Sequence, residues 1–218
     1  MTVRAPLDLS LFLVIGPGDT RGRPIVDIVR AAVRGGVTAV QLRRKDDAAG
    51  AFVEEARALV AELRPLDIPL IVNDRVDVAL AADADGVHVG QQDMSVADVR
   101  RIGGERMLVG LSVTSMDEAR AVPAYGVNYV GVGPVFATVS KPDAAAPLGV
   151  EGTRGVCAVL SVPCVAIGGV GIDNIDAVLS TGVAGVAVIS AICAAASPHA
   201  AAVELSERIA RRRVVMWR

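Results

Sequence analysis

Short runs of β-branched and aliphatic residues recur along this chain, each closed by glycine or a polar break. "GGVTAVQLR", "ADGVHVG", "GVNYVGVG" and "GVAGVAVIS" share that form. Between such runs lie Ala-rich segments, over 52–63, 76–82 and 96–102, whose apolar positions fall at three- and four-residue steps. The runs have the length and side chains of buried strands, and the steps give one apolar helix face. Strands are predicted at 11–15, 39–42, 70–72, 86–89, 107–111, 129–132, 164–167 and 185–189. A helix is predicted after each, the last reaching into "AAVELSERIARRR". Apolar strands alternating with amphipathic helices make a parallel sheet, because each helical crossover returns the chain to the end of the sheet at which the previous strand began.

Eight such units in 218 residues suit an α/β (βα)8 TIM barrel, whose usual size is about 250 residues. An open doubly wound sheet is the competing fold. It would more often carry G-x-G-x-x-G after the first strand, and "GPGDTRG" lacks that spacing. No Ser/Pro tract or composition break divides the chain, so residues 1–218 are expected to form one domain.

Composition narrows the function more than the fold. Lys plus Arg is 22 against Asp plus Glu at 24, which argues against a nucleic-acid binder with a general basic field. The most membrane-like stretch, 182–196, is shorter than the ~20 residues needed to span a bilayer and contains Ser190. "MTVRAPLDLS" lacks the basic start and apolar run of a secretory signal. Cys157, Cys164 and Cys193 include no C-x-x-C pair and are expected to be small buried residues in a reducing compartment. A cytoplasmic protein without nucleic-acid or membrane partners is the expectation.

In a barrel of this kind reactive groups stand just after strands. Here Gln41, Arg43 and Lys45 end the second strand, Asn73 and Asp74 follow the third, and Asp93 follows the fourth. Ser112, then Thr138, Ser140 and Lys141, then Gly168 and Gly169, and finally Ser190 follow the remaining ones. The turns on the opposite side, such as "LDI", "AYG" and "STG", are plain. Period-two alternation sends Gln41, Arg43 and Lys45 to one side of "VQLRRKD" and Arg44 to the other, where it is expected to be a solvated surface charge. Two same-side cations with an amide donor suit a multiply charged phosphate. Asp74 and Asp93 suit Mg²⁺, which takes few carboxylates plus water and phosphate oxygens. Each fits equally well as a helix N-cap, Asp74 before "RVDVAL" and Asp93 or Ser95 before "MSVADVR". The long loop 133–149 is expected to be a lid, and "AIGGVGIDN" with "AVISAI" to be a backbone-lined monophosphate site. His88 is expected to be an inward-facing structural residue, His199 a surface one, and Arg211 to Arg213 a solvated helix end.

From "VQLRRKD" through "NDRVDVALAADADGVHVGQQD", "GLSVTS" and "GVNYVGVGPVFATVSK" to "AIGGVGIDN" and "GVAVISAI", the chain resembles the thiamine-phosphate synthase family. The resemblance implies a (βα)8 barrel that joins a phosphorylated pyrimidine, hydroxymethylpyrimidine diphosphate, to a thiazole phosphate and releases pyrophosphate. It implies that Gln41, Arg43, Lys45, Asn73, Ser112 and Lys141 bind the pyrimidine diphosphate, with Arg43, Lys45 and Lys141 stabilising the leaving group. It further implies Asp74 and Asp93 as Mg²⁺ ligands, Thr138 and Ser140 in the loop over the thiazole and pyrophosphate, and Gly169, Ile189 and Ser190 at the thiazole phosphate. A homodimer is compatible with this reading. Arg44 stands where many members are acidic, Thr114 where many have histidine, and "PDAAAPLG" lacks the family's usual charge. Two alternatives stay open, a thiazole phosphate tautomerase on the same fold and a non-catalytic phosphometabolite-binding protein. The full set of cations and carboxylates favours the synthase.

Overall fold

A computed structural model describes residues 7–44, 48–138, 140 and 145–216. Eight parallel strands close into a barrel in sequence order: β1 (Leu11–Ile15), β2 (Ala39–Leu42), β3 (Leu70–Asn73), β4 (Gly86–Val89), β5 (Leu108–Val113), β6 (Tyr129–Val132), β7 (Cys164–Ile167) and β8 (Gly185–Val188). The ring is sealed where Phe12 of β1 pairs with both Ala39 of β2 and Ala187 of β8.

Alternation along each strand separates an inner core from the outer packing against the helices. Leu11, Leu13 and Ile15 pack outward with Val40, Leu42, Leu70 and Val72 against apolar helix faces, while Phe12, Val14, Ala39, Ile71, Tyr129, Val165 and Ala187 form a second cluster inside the barrel. The helices are α1 (Ile25–Arg34), α2 (Ala49–Leu63), α3 (Val76–Ala81), α4 (Val96–Gly103), α5 (Met116–Arg120), α6 (Gly149–Val159), α7 (Ile175–Leu179), α8 (Ser190–Cys193) and α9 (Pro198–Met216).

Two departures from the expected elements matter most. β5 runs to Val113, so Ser112 lies within the strand and not after it, paired with Gly131 of β6. The expected last helix is two helices, α8 and α9. The break is local chemistry: Pro198 opens α9, and Ser197 Oγ accepts the Ala200 N–H at 3.2 Å. Among the described residues no helix is long and apolar enough to cross a membrane.

Candidate active site

The second strand delivers its polar side as the alternation requires. Gln41 is buried, and its Nε2 donates to Asn73 Oδ1 at 2.5 Å, joining the ends of β2 and β3. The Arg43 amide donates to Ile15 O at 2.8 Å, which fixes the backbone just beyond β2. Its guanidinium Nη1 donates to Ser140 O at 3.2 Å. β2 and β6 stand four places apart in the closed ring, so this bond joins the end of β2 to Ser140, beyond β6, across the barrel mouth. Lys45 and Lys141 lie outside the described residues. The expectation for Arg44 is corrected: its side chain does point away from the mouth, but it is only 16% exposed and pairs with Glu55 of α2 at 3.5 Å. The outer side of β2 meets a helix and not solvent.

The carboxylates are not helix caps. Arg75 occupies the position before α3, and Asp74 sits in a left-handed turn at φ 61°, its amide donating to His88 O at 2.8 Å. Ser95 caps α4 by accepting the Asp98 N–H. Asp93 instead uses one oxygen to accept the Gly90 N–H at 2.7 Å, which closes a turn at the end of β4 and leaves the carboxylate exposed on adjacent-strand ground to Asp74. Asp19, in the loop after β1, accepts the Gly16 N–H at 2.9 Å, and burial holds its carboxyl above the usual range, partly offset by that bond and by Arg43.

The loop after β6 is rooted at both feet. Leu148 and Gly149 amides donate to Pro134 O and Val135 O at 2.8 and 2.9 Å, while Val135 and Phe136 amides donate to Ile167 O and Gly168 O at 2.9 and 3.0 Å. Thr138 Oγ1 accepts the Ser140 N–H at 3.3 Å, so the two hydroxyl residues turn together. Gly168 and Gly169 both take positive φ, 98° and 64°, and a Cβ on Gly169 would stand 2.7 Å from Ala137 O. Glycine is required here by conformation and by crowding. The Gly168 and Gly169 amides donate to no acceptor among the described residues, whereas the amides just after β2, β3 and β6 return to a neighbouring strand. Ile189 lies against the interior cluster, and Ser190 opens α8 beside it, exposed.

A family profile described as thiamine monophosphate synthase matches residues 11–192. The thiamine-phosphate synthase of Solidesulfovibrio magneticus is 56% identical over 198 residues, covering 91% of this chain and 94% of the relative. That of Xanthobacter autotrophicus is 49% identical over 197 residues, covering 90% and 93%. The chain belongs to the thiamine monophosphate synthase family. The thiamine phosphate pyrophosphorylase from Pyrococcus furiosus has the same fold, with a TM-score of 0.86 at 39% identity over 94% of this chain and 98% of that one.

As a thiamine monophosphate synthase family member, the chain brings Gln41, Arg43, Asn73, Asp74, Asp93 and Ser112 to one end of the barrel, where Thr138, Ser140 and the Gly169 and Ser190 turns also lie. Other contributors escaped the sequence reading. Gln91 Nε2 donates to Ser112 O at 2.7 Å, and Asn174 shapes the glycine turn by donating to Gly169 O and accepting the Gly171 N–H, both at 2.9 Å. For Gln91 the signal was an amide side chain at or just after a strand end, as for Gln41 and Asn73, whereas Asn174 stands before α7 and gave no such signal. His88 faces inward, between Tyr129 OH at 3.0 Å and Ser112 Oγ at 2.9 Å, and His199 is exposed. Cys164 and Cys193 are buried as expected, and Cys157 is half-buried.

Proposed function

We propose that this chain is a thiamine-phosphate synthase, a transferase that joins 4-amino-2-methyl-5-(diphosphooxymethyl)pyrimidine to a thiazole phosphate, giving thiamine phosphate and pyrophosphate. The observation that carries the reading is the convergence of neutral and cationic donors, Gln41, Arg43, Asn73 and Ser112, from the ends of β2 and β3 and from within β5, with Ser140 of the loop after β6 hydrogen-bonded to Arg43. Family membership gives that donor set its substrates.

The carbon–oxygen bond from the pyrimidine CH₂ to the diphosphate breaks, and its electron pair leaves with pyrophosphate. The electron-rich aminopyrimidine delocalises the resulting positive charge. The thiazole nitrogen then gives its lone pair to that carbon, so no general base is needed. Arg43, Lys45 and Lys141 hold the departing charge, with Gln41, Asn73 and Ser112 orienting its oxygens. Thr138 and Ser140 cover the pair and exclude water. Gly169, Ile189 and Ser190 receive the thiazole phosphate, where the Gly168 and Gly169 amides lack protein acceptors among the described residues.

The donors also fit Mg²⁺. Asp74 and Asp93 offer hard oxygens from adjacent strand ends, and no group of three potential ligands forms among the described residues. A pair of carboxylates leaves coordination places for water and phosphate oxygen, which suits Mg²⁺ better than a closed protein cage would. When bound, the ion neutralises charge on the diphosphate. A cytoplasmic location accords with three free thiols.

The test is a two-substrate turnover assay. Purified protein with Mg²⁺ and both substrates should release pyrophosphate and form thiamine phosphate in equal amounts. Absence of both products, or formation of a rearranged thiazole phosphate alone, would overturn the reading.

A further inference from the structure

Within the barrel, His88 is 8% and Tyr129 1% exposed, the ring centroids 5.4 Å apart, with Phe12 backing the tyrosine at 5.5 Å. Two glycines cut the slot that holds the imidazole. A Cβ on Gly110 would collide with His88 Nδ1 and the Tyr129 ring, and one on Gly131 would stand 3.0 Å from His88 Cε1. The histidine therefore has its pose fixed on both flanks.

The direction of the hydrogen bonds follows from the tyrosine. Burial pushes its hydroxyl well above the ordinary range, so it keeps its proton. Among the described residues, its hydrogen-bond partner is His88 Nδ1 at 3.0 Å, and the ring packs in the apolar interior cluster. The reverse polarity, Nδ1–H donating to the tyrosine oxygen, would leave the hydroxyl proton buried without an acceptor, which is costly. The hydroxyl therefore donates to Nδ1, and the imidazole proton resides on Nε2. Nε2–H then donates to Ser112 Oγ at 2.9 Å. An oxygen that already accepts from Nε2 turns its own proton elsewhere, and the serine backbone is steadied by Gln91 at its carbonyl.

We propose that Tyr129 and His88 form a one-way hydrogen-bond relay that fixes Ser112 as a donor toward the anionic oxygens of the pyrimidine diphosphate. Both are positioning residues, acting through Ser112. The inference rests on the reading of Ser112 as a diphosphate ligand.

Two measurements test it. The chain has two histidines, so long-range ¹H–¹⁵N spectra of the native enzyme and of H199N give the His88 tautomer directly. A proton on Nε2 is expected, and a proton on Nδ1 overturns the relay. In turnover, S112A and H88F should each lower kcat/KM for the pyrimidine diphosphate about 10²-fold, the size of one lost donor. The double variant should be no worse than either, and H88Q, whose Nε2 can still donate to Ser112, should recover most of the loss. Full additivity of H88F and S112A overturns the relay. Native kcat/KM in S112A overturns instead the reading of Ser112 as a ligand, an outcome visible in that variant alone. Should H88F fail to fold, the native spectrum still decides.

Discussion

Arg44 Nε stands 3.5 Å from Glu55 Oε2, tying the end of β2 to α2 with side chains 16% and 24% exposed. The pair is too enclosed to be a screened surface bridge, yet not so dry that desolvation cancels it. Removing one partner leaves a poorly solvated charge. R44A should therefore cost about 1.5 kcal/mol, or roughly 3–6 °C in Tm for a domain of this size. Because Arg43 is the preceding residue, KM for the diphosphate substrate should rise as well. Charge reversal in R44E should be worse, and R44E/E55R should regain part of the loss in calorimetry. A native Tm in R44E would show the pair to be idle.

The bond from Gln41 Nε2 to Asn73 Oδ1 orients both amides. With its oxygen occupied, Asn73 has its NH₂ left to face the mouth. N73A removes that donor and should lower kcat/KM about 10²-fold. N73D keeps the acceptor for Gln41 but puts negative charge against the diphosphate, so it should be more damaging than N73A, with Tm nearly native. Steady-state kinetics beside thermal melts separate the two effects.

Asp74 and Asp93 should respond differently to substitution. Asp74 holds φ 61°, a region that asparagine tolerates and alanine does not. D74N therefore isolates the charge, and should raise the Mg²⁺ concentration needed for half-maximal turnover at least tenfold without loss of Tm. D74A should add a fall in Tm. In D93N the side-chain oxygen still accepts from Gly90, so the turn survives and the Mg²⁺ requirement alone should rise. Chelation of the native enzyme should abolish pyrophosphate release, and added Mg²⁺ should restore it.

These residues show which parts of the molecule the sequence carried. Strand positions were legible because apolar runs bounded by glycine are a local signal, and the strand ends then located Gln41, Arg43, Asn73 and Asp74 without any knowledge of contacts. Ser112 was placed after β5 because a polar residue resembles a strand end, whereas in a barrel it can be an inward-facing strand position. Alternation sent Arg44 outward correctly but could not reveal Glu55, which lies on the following helix, α2. The His88–Tyr129–Ser112 chain joins three strands, so no local pattern shows it, and His88 alone had an ordinary structural explanation. Contacts made across the ring, such as Arg43 with Ser140, have no local trace at all.

Gly169 tests the monophosphate turn. A side chain there meets φ 64° strain and stands 2.7 Å from Ala137 O and 2.8 Å from Phe136 Cβ. The loop after β6 must give way, since its foot is hydrogen-bonded to the same turn through Phe136. G169A should destabilise by about 1–3 kcal/mol and raise KM for the thiazole phosphate more than for the diphosphate. Titration of each substrate at saturation of the other would reveal that split, and equal changes in both constants would count against a separate phosphate turn.

Cys193 gives the fold an alkaline limit. Its thiol is pushed up to about 12 from an ordinary 9.0, chiefly by burial and further by Asp19, with Arg23 opposing. The neutral thiol is the form the interior accepts, so the stabilisation is complete below about pH 9 and is lost as pH rises through about 12, because the unfolded chain ionises first. The Sγ also lies 3.8 Å from Val14 O in the first strand, and Arg23 Nη1 bonds Ala195 O at 3.0 Å just beyond it, so ionisation would strain the seam between β1 and α8. Urea midpoints measured from pH 8 to pH 11 should fall steeply for the native chain above pH 9. C193S, which cannot ionise in that range, should start lower but decline less. Parallel curves would assign the alkaline loss to other groups.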